Sequence, residues 1–276
     1  MLLKQVNFKK PDIEALNKEG FLCVDMHCHT DFSDGAPLKD MLEKAKEKGL
    51  GLAITDHNEI QGALEAMKQN DVFIVPGIEI NSEDGPHILC YFYDASELER
   101  FYKNEVEKYK TTIKRKRLFP KFRIITRKSF DIIKAAKNYN CLVSLAHPYG
   151  FLHMNIEKAL FNDHRTRELV ENTDAIEVIV SNQRKNSNIK SYALKLLFDK
   201  CATAGSDAHS PEDLGGAVSC AKATDVEDFL NNVKLKRSII VGKASIRKKV
   251  IYAKGLVKKG GSLIKKSLLK KIRSIV

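Results

Sequence analysis

The chain has 276 residues, 43% of them hydrophobic, enough to bury a sizeable core in one barrel-sized domain or two smaller ones. No run of about 18 apolar residues occurs, which argues against a membrane span, and the first ten residues lack the long apolar core of a secretory signal. Twelve of the 47 Lys/Arg residues lie in residues 243–276, which hold no Asp or Glu. The other 35 balance the 35 acidic residues, so the net charge of +12 belongs to a tail rather than to a protein-wide nucleic-acid face.

Taken in chain order, residues 21–26 form an apolar run that reads as a buried strand and leads into Asp25-Met-His27-Cys-His29 and Ser33-Asp34-Gly35. Leu38, Met41, Leu42 and Ala45 then recur at helical spacing within residues 37–48, and Gly49 supplies the stop. Residues 50–55 are a second strand delivering Asp56-His57, followed by a helix over 60–68. Strands are predicted at 72–75 and 88–92, with Pro76-Gly-Ile-Glu79 and His87 between them. Strands at 142–145, 175–180 and 202–204 precede His147-Pro148, Ser181-Asn182 and Ser206-Asp207-Ala-His209. Alternating strands and helices favour a parallel sheet or barrel, so the fold class is α/β. In such folds active sites collect at the C-terminal strand ends, so this polarity predicts that the clusters meet.

Residues 95–140 break the pattern. A charged helix is predicted over 97–110, then the basic run Lys114–Arg117 and a helix over 129–138. The segment reads as an insertion or cap at the mouth of the site. Beyond residue 242 the tail is basic. Gly260-Gly261 break the chain before a last helix capped by Ser262, and an apolar stripe from Leu263 to Val276 faces Lys265, Lys266, Lys270, Lys271 and Arg273. It is predicted to touch an anionic membrane surface or dock on the barrel, with nucleic acid the less favoured partner. The six cysteines are scattered without a CxxC pair, which reads as a reduced thiol set in a cytoplasmic protein, membrane-peripheral if the tail binds lipid.

Five of the eight histidines lie in four of these short clusters, and a sixth, His87, follows Glu79. Imidazole and carboxylate at this density suit a multi-metal hydrolytic centre. On an extended strand His27 and His29 point the same way, and Asp25 is expected on that face as a partner to a ligand. Asp207 and His209 repeat the i, i+2 spacing. Asp56 either orients His57 or caps a helix. Cys28 should point away from the ligands, and no Ser-His-Asp or Cys-His nucleophile stands out. His153 and His164 lack such a context and read as surface residues. Asn182 and Arg184 follow a strand end and are candidate substrate contacts. Arg115 and Arg117 are candidate phosphate contacts, weighed against a plain solvated face.

The ordered set Asp25-x-His-x-His29, Ser33-Asp-Gly35, Thr55-Asp-His57, Pro76-Gly-x-Glu79, His87, Ala146-His-Pro148 and Ser206-Asp-x-His209 resembles the polymerase and histidinol phosphatase (PHP) family over about residues 21–240. The resemblance implies a distorted seven-stranded (β/α) barrel and three divalent ions (Mn, Fe or Zn). One would be held by His27, His29, Glu79 and Asp207, a second by Glu79, His87 and His147, and a third by Asp34, His57 and His209. It also implies hydrolysis of a small phosphomonoester, a nucleotide among the candidates, by a metal-activated hydroxide, with Asp34, His57 and His209 at the reacting side. A 5′–3′ exonuclease and a non-catalytic metal-binding module are the alternatives. The Ser-Asp-Gly form is similar to the stand-alone nucleotide phosphatase and exoribonuclease branch. Histidinol-phosphate phosphatases usually carry His at the place of Asp34. In the nucleotide-acting branch a larger, Arg-bearing cap fills the span that here runs only from His87 to His147, so substrate identity does not carry over.

Overall fold

The apolar alternation of the strands builds most of the molecule. A computed structural model describes residues 5–113, 122–150, 156, 164–183 and 186–243. Its strands are β1 (Val6–Asn7), β2 (Leu22–Cys28), β3 (Gly51–Ile54), β4 (Ile74–Asn81), β5 (His87–Phe92), β6 (Lys110–Ile113), β7 (Phe122–Ile125), β8 (Cys141–Leu145), β9 (Ala175–Val180), β10 (Cys201–Gly205), β11 (Ala217–Ala221) and β12 (Ile239–Gly242). Ten of them form one sheet in the order β1-β12-β11-β2-β3-β4-β5-β8-β9-β10, and β6 and β7 pair separately.

The large sheet curls until β10 meets β2. Asp207 N–H donates to the His27 carbonyl at 2.8 Å, and His29 N–H donates to the Ala208 carbonyl at 2.9 Å. Gly205 is required at this seam: a Cβ there would stand 2.4 Å from the His27 Cβ. The seven strands from β2 to β10 in the sheet order thus make a curled half-barrel, and β11, β12 and β1 extend it beyond β2.

Period-2 alternation divides the strand residues between two cores. Val75, Leu89, Tyr91, Leu142 and Ala175 form the smaller cluster, plugged by Phe229, Leu230 and Val233 of the helix Val226–Lys234. Asp225 caps that helix by accepting from Asp228 N–H at 2.8 Å. The alternate residues, among them Ile78, Ile80, Ile88 and Ile176, pack in the larger cluster with Met41 and Ala45 of the helix Leu38–Glu47. That helix ends at Gly49, whose φ of +58° is the left-handed stop predicted for it.

Two expectations need correction. The strands are not uniformly parallel, because β5 runs antiparallel to both β4 and β8. His87 therefore opens its strand instead of following one, and the reversal still delivers it to the same rim. Glu79 lies inside β4 rather than in a loop, since the strand continues through Pro76. Pro76 is paired with Ile54, the last residue of β3, so its missing N–H falls where that neighbour ends.

The 95–140 segment connects β5 to β8. The helix Ala95–Phe101 continues through turns to Tyr109, and the β6–β7 hairpin, which the charge pattern concealed, precedes the helix Ser129–Ala136. Glu59, two residues beyond His57, anchors the hairpin: Lys110 Nζ donates to it at 2.9 Å and the Tyr102 hydroxyl at 3.2 Å. The hairpin base thus sits at the mouth of the site. The tail beyond residue 243, with its membrane, docking and nucleic-acid expectations, lies outside the described residues. Among the described residues no helix is long and apolar enough to cross a membrane. All six cysteines are buried and free.

Candidate metal centre

Glu79 organises the site. Its carboxylate is fully buried and is approached by five imidazoles: His57 Nδ1 at 2.7 Å, His87 Nδ1 and His147 Nε2 each at 3.0 Å, His27 Nε2 at 3.4 Å and His29 Nε2 at 3.6 Å. Asp207 closes the cluster from β10, with Oδ1 3.3 Å from His29 Nε2 and 3.5 Å from His27 Nε2. Asp34 lies opposite, 3.4 Å from His209 Nε2 and 3.8 Å from His57 Nε2. All nine predicted ligands are thus brought together.

The local backbone explains how they converge. A bulge between Asp25 and Cys28 sets three residues of β2 against two of β3 and breaks the alternation along the strand. His27 and His29 follow it into the site, whereas Cys28 turns outward and donates its thiol to the Ala53 carbonyl. Asn58, His147 and Asp207 all have positive φ, of 52°, 24° and 57°. Such strained backbone persists only where surrounding bonds over-determine it. Here Asn58 N–H donates to the Glu79 carbonyl, His147 N–H to Glu177 and Asp207 N–H to His27.

Two carboxylates have roles other than those predicted. Asp25 touches no ligand imidazole. It accepts from Ser206 N–H and Oγ at 2.7 and 2.6 Å and from Gly215 N–H at 2.8 Å, tying down the loop that carries Asp207 and His209. Asp56 neither orients His57 nor caps a helix. It accepts from Thr30 N–H and Oγ at 2.7 and 2.6 Å and from Ser33 Oγ, holding the loop that carries Asp34. The loops that carry Asp34 and Asp207 thus each hang from a buried Asp, Asp56 just past β3 and Asp25 within β2.

The donor set fits divalent cations. His27 Nε2 and both ring nitrogens of His29 are buried without a hydrogen-bond partner among the described residues, a costly state for polar atoms unless something binds them. Four groups bring their donor atoms within 4.8 Å of one another: His29/Asp34/His57/His209, His27/His29/Glu79, His57/Glu79/His87 and His27/His147/Glu177. The first contains the third predicted ligand set and the second most of the first. The last contains Glu177, which the motif pattern missed. Its signal was its place as the single charged residue in the apolar strand Ala175–Val180.

Electrostatics follow from burial and neighbours. Burial pushes His87 down to about 4 despite the nearby Glu79 charge. The hydrogen bond to Asp34 holds His209 up at about 9, against partial burial. Burial raises Asp34, but the His209 hydrogen bond and the neighbouring imidazoles outweigh it and bring it to about 2. Burial raises Asp25 to about 6, although the four hydrogen bonds it accepts work in the other direction.

Among the predicted substrate contacts, Asn182 donates Nδ2 to the Asp207 carbonyl at 2.8 Å, which also accepts from His209 Nδ1 at 3.0 Å. Arg115, Arg117, Arg184 and His153 lie outside the described residues, as does the side chain of His164.

Comparison with known proteins agrees with this geometry. The PHP domain model matches residues 25–182, and the PHP-associated model matches residues 184–238. The chain belongs to the PHP family. No curated protein matches it. Solved structures similar in fold include a protein from Bifidobacterium adolescentis assigned as a metal-dependent phosphoesterase, at 20% identity and TM-score 0.54, covering 77% of this chain and 96% of that one. A lesion-specific endonuclease from Pyrococcus furiosus has 19% identity and TM-score 0.58, covering 80% of this chain and 57% of that one. A two-domain protein from Bacteroides vulgatus, containing a predicted PHP-like metal-dependent phosphoesterase, has 15% identity and TM-score 0.54, covering 88% of this chain and 70% of that one.

Proposed function

We propose that this protein is a metal-dependent phosphomonoesterase acting on a small phosphorylated molecule, a nucleotide among the candidates. The observation that carries the reading is the convergence of five imidazoles on the buried Glu79 carboxylate, with ring nitrogens left unsatisfied. Divalent ions bound here supply a hydroxide nucleophile near neutral pH and neutralise charge on the phosphate. Glu79 is approached by five histidines and would help hold the ions. Its Oε1 faces His27, His87 and His147, and its Oε2 faces His29 and His57. Asp34, His57 and His209 form the open side. Asp34 and His209 are 52% and 40% exposed at their side chains, so an ester can approach there. The nearest thiol, Cys28, faces away, in keeping with a reaction that uses water rather than a protein nucleophile.

The likeness to a lesion-specific endonuclease makes nucleic acid the natural competitor, but the balanced charge outside the tail supports a small substrate. Purified protein supplied with manganese should release phosphate from members of a mononucleotide panel and leave labelled oligonucleotides intact. Shortening of the oligonucleotides without release from any monoester would replace this reading with the exonuclease. Unchanged turnover in His27→Ala would remove the metal centre from the mechanism altogether.

A further inference from the structure

Glu177 is fully buried on β9 and is absent from the predicted ligand sets. Its two oxygens are divided between two residues that surround Glu79. Oε1 is 2.9 Å from His27 Nδ1, and Oε2 accepts the His147 backbone N–H at 2.8 Å. A carboxylate only accepts, so in the neutral imidazole that binds a cation the ring hydrogen of His27 sits on Nδ1. That leaves Nε2, which faces Glu79 and Asp207 with no hydrogen-bond partner among the described residues, with its lone pair directed into the cluster. The second oxygen holds the His147 peptide in its positive-φ geometry and so aims the imidazole that reaches Glu79 at 3.0 Å.

We infer that Glu177 is a positioning residue that sets the tautomer of His27 and the backbone of His147 together, preparing both for cation binding. Both of its oxygens are already engaged by donors, which separates this role from that of a direct ligand. The inference rests on the metal-centre reading above. Carboxylates that hold a ligating histidine in this way are worth roughly 10–100-fold in metal affinity.

The space-filling alternative makes the opposite prediction for two substitutions. Glu177→Gln keeps the shape but must turn its NH₂ toward either His27 Nδ1 or the His147 N–H. Glu177→Asp loses a methylene but remains acceptor-only. Zinc retained by the full chain against graded chelator, with near-UV circular dichroism of each metal-free protein as the folding control, should fall roughly 10–100-fold in affinity for Gln and less for Asp. An Asp variant weaker than Gln, or a Gln variant equal to wild type, overturns the inference. Independently of any variant, the ¹⁵N shifts of His27 in zinc-loaded wild type should show a protonated Nδ1 and a metal-bound Nε2. An unprotonated Nδ1 overturns it even if both variants fail to fold. Wild type that takes up no zinc defeats the metal-centre reading and this inference with it. Zinc uptake that is indifferent to Glu177 defeats this inference alone.

Discussion

The floor and the mouth of the site are made from the same residue types but in opposite environments. On the floor, His27, His29 and Glu79 have fully buried side chains and His147 is 3% exposed, with Glu177 behind them. At the mouth, Asp34 and His209 stand half in water and His57 is 16% exposed. Burial on the floor raises the cost of leaving these groups without a cation, so the floor should hold its ions as part of the folded structure. The mouth can satisfy its donors with water and is free to exchange ligands. On the proposed function, retention should belong to the floor and reaction to the mouth.

The largest effect should come from breaking the floor. Glu79→Gln removes the carboxylate shared by five imidazoles, and bound metal per chain should fall together with turnover, by at least about 10³-fold, equivalent to about 4 kcal/mol of barrier. Elemental analysis beside a phosphatase assay checks this; full metal content in an inactive variant would separate retention from Glu79. The mouth should behave differently. Asp34→Asn is expected to lower turnover by about 10²-fold, or about 3 kcal/mol, while most of the metal stays bound. Loss of every ion from Asp34→Asn would erase the distinction between the two regions.

The nine ligands of floor and mouth alike were legible in sequence, and on the floor the reason is geometric. His27, His29, Glu79, His147 and Asp207 sit in or directly after strands, where spacing alone limits where a side chain can point. What spacing could not reveal is the bulge at residues 25–28, because an extra residue changes pairing without changing composition. Asp25 was therefore expected beside the ligands when it actually holds the Ser206 loop. The antiparallel β5 was equally hidden, since an apolar run carries no direction, and His87 reached the rim by a route other than the one expected. Glu177 escaped for a different reason: its partners are 150 and 30 residues away, and only the pairing and curl of the sheet bring them together. Residues 187–197 and 226–234 form helices that no motif marked, the first packed on the larger core and the second plugging the smaller.

Without metal, the mouth should carry a pH signature of its own. His209, held at about 9 against an ordinary value of 6.5, contributes stability that is complete below about 6.5 and lost as pH rises through 9. Asp34, held at about 2 against 3.8, contributes stability that is present above about 3.8 and lost as pH falls through 2. The pair therefore supports the metal-free fold most between about pH 4 and 6.5. The urea midpoint of chelator-treated protein should be higher at pH 6 than at pH 9.5, and His209→Gln should shrink that difference. An unchanged difference would assign the pH dependence to other groups.

The smallest effect should come from the hairpin that borders the mouth. Lys110 and Glu59 form a partly exposed ion pair, 23% and 19% accessible, so its loss should cost no more than about 1 kcal/mol. Glu59 also accepts from the Tyr102 hydroxyl, so it keeps a partner when the lysine is removed. Lys110→Met should therefore loosen the hairpin base without moving His57, whose Nδ1 is held by Glu79 from the floor. KM should rise by up to about fivefold, the equivalent of that 1 kcal/mol, while kcat stays near wild type. A fall in kcat beyond tenfold at unchanged KM would mean that the hairpin reaches the reacting groups. The mouth would then extend past Asp34, His57 and His209 to include the insertion itself.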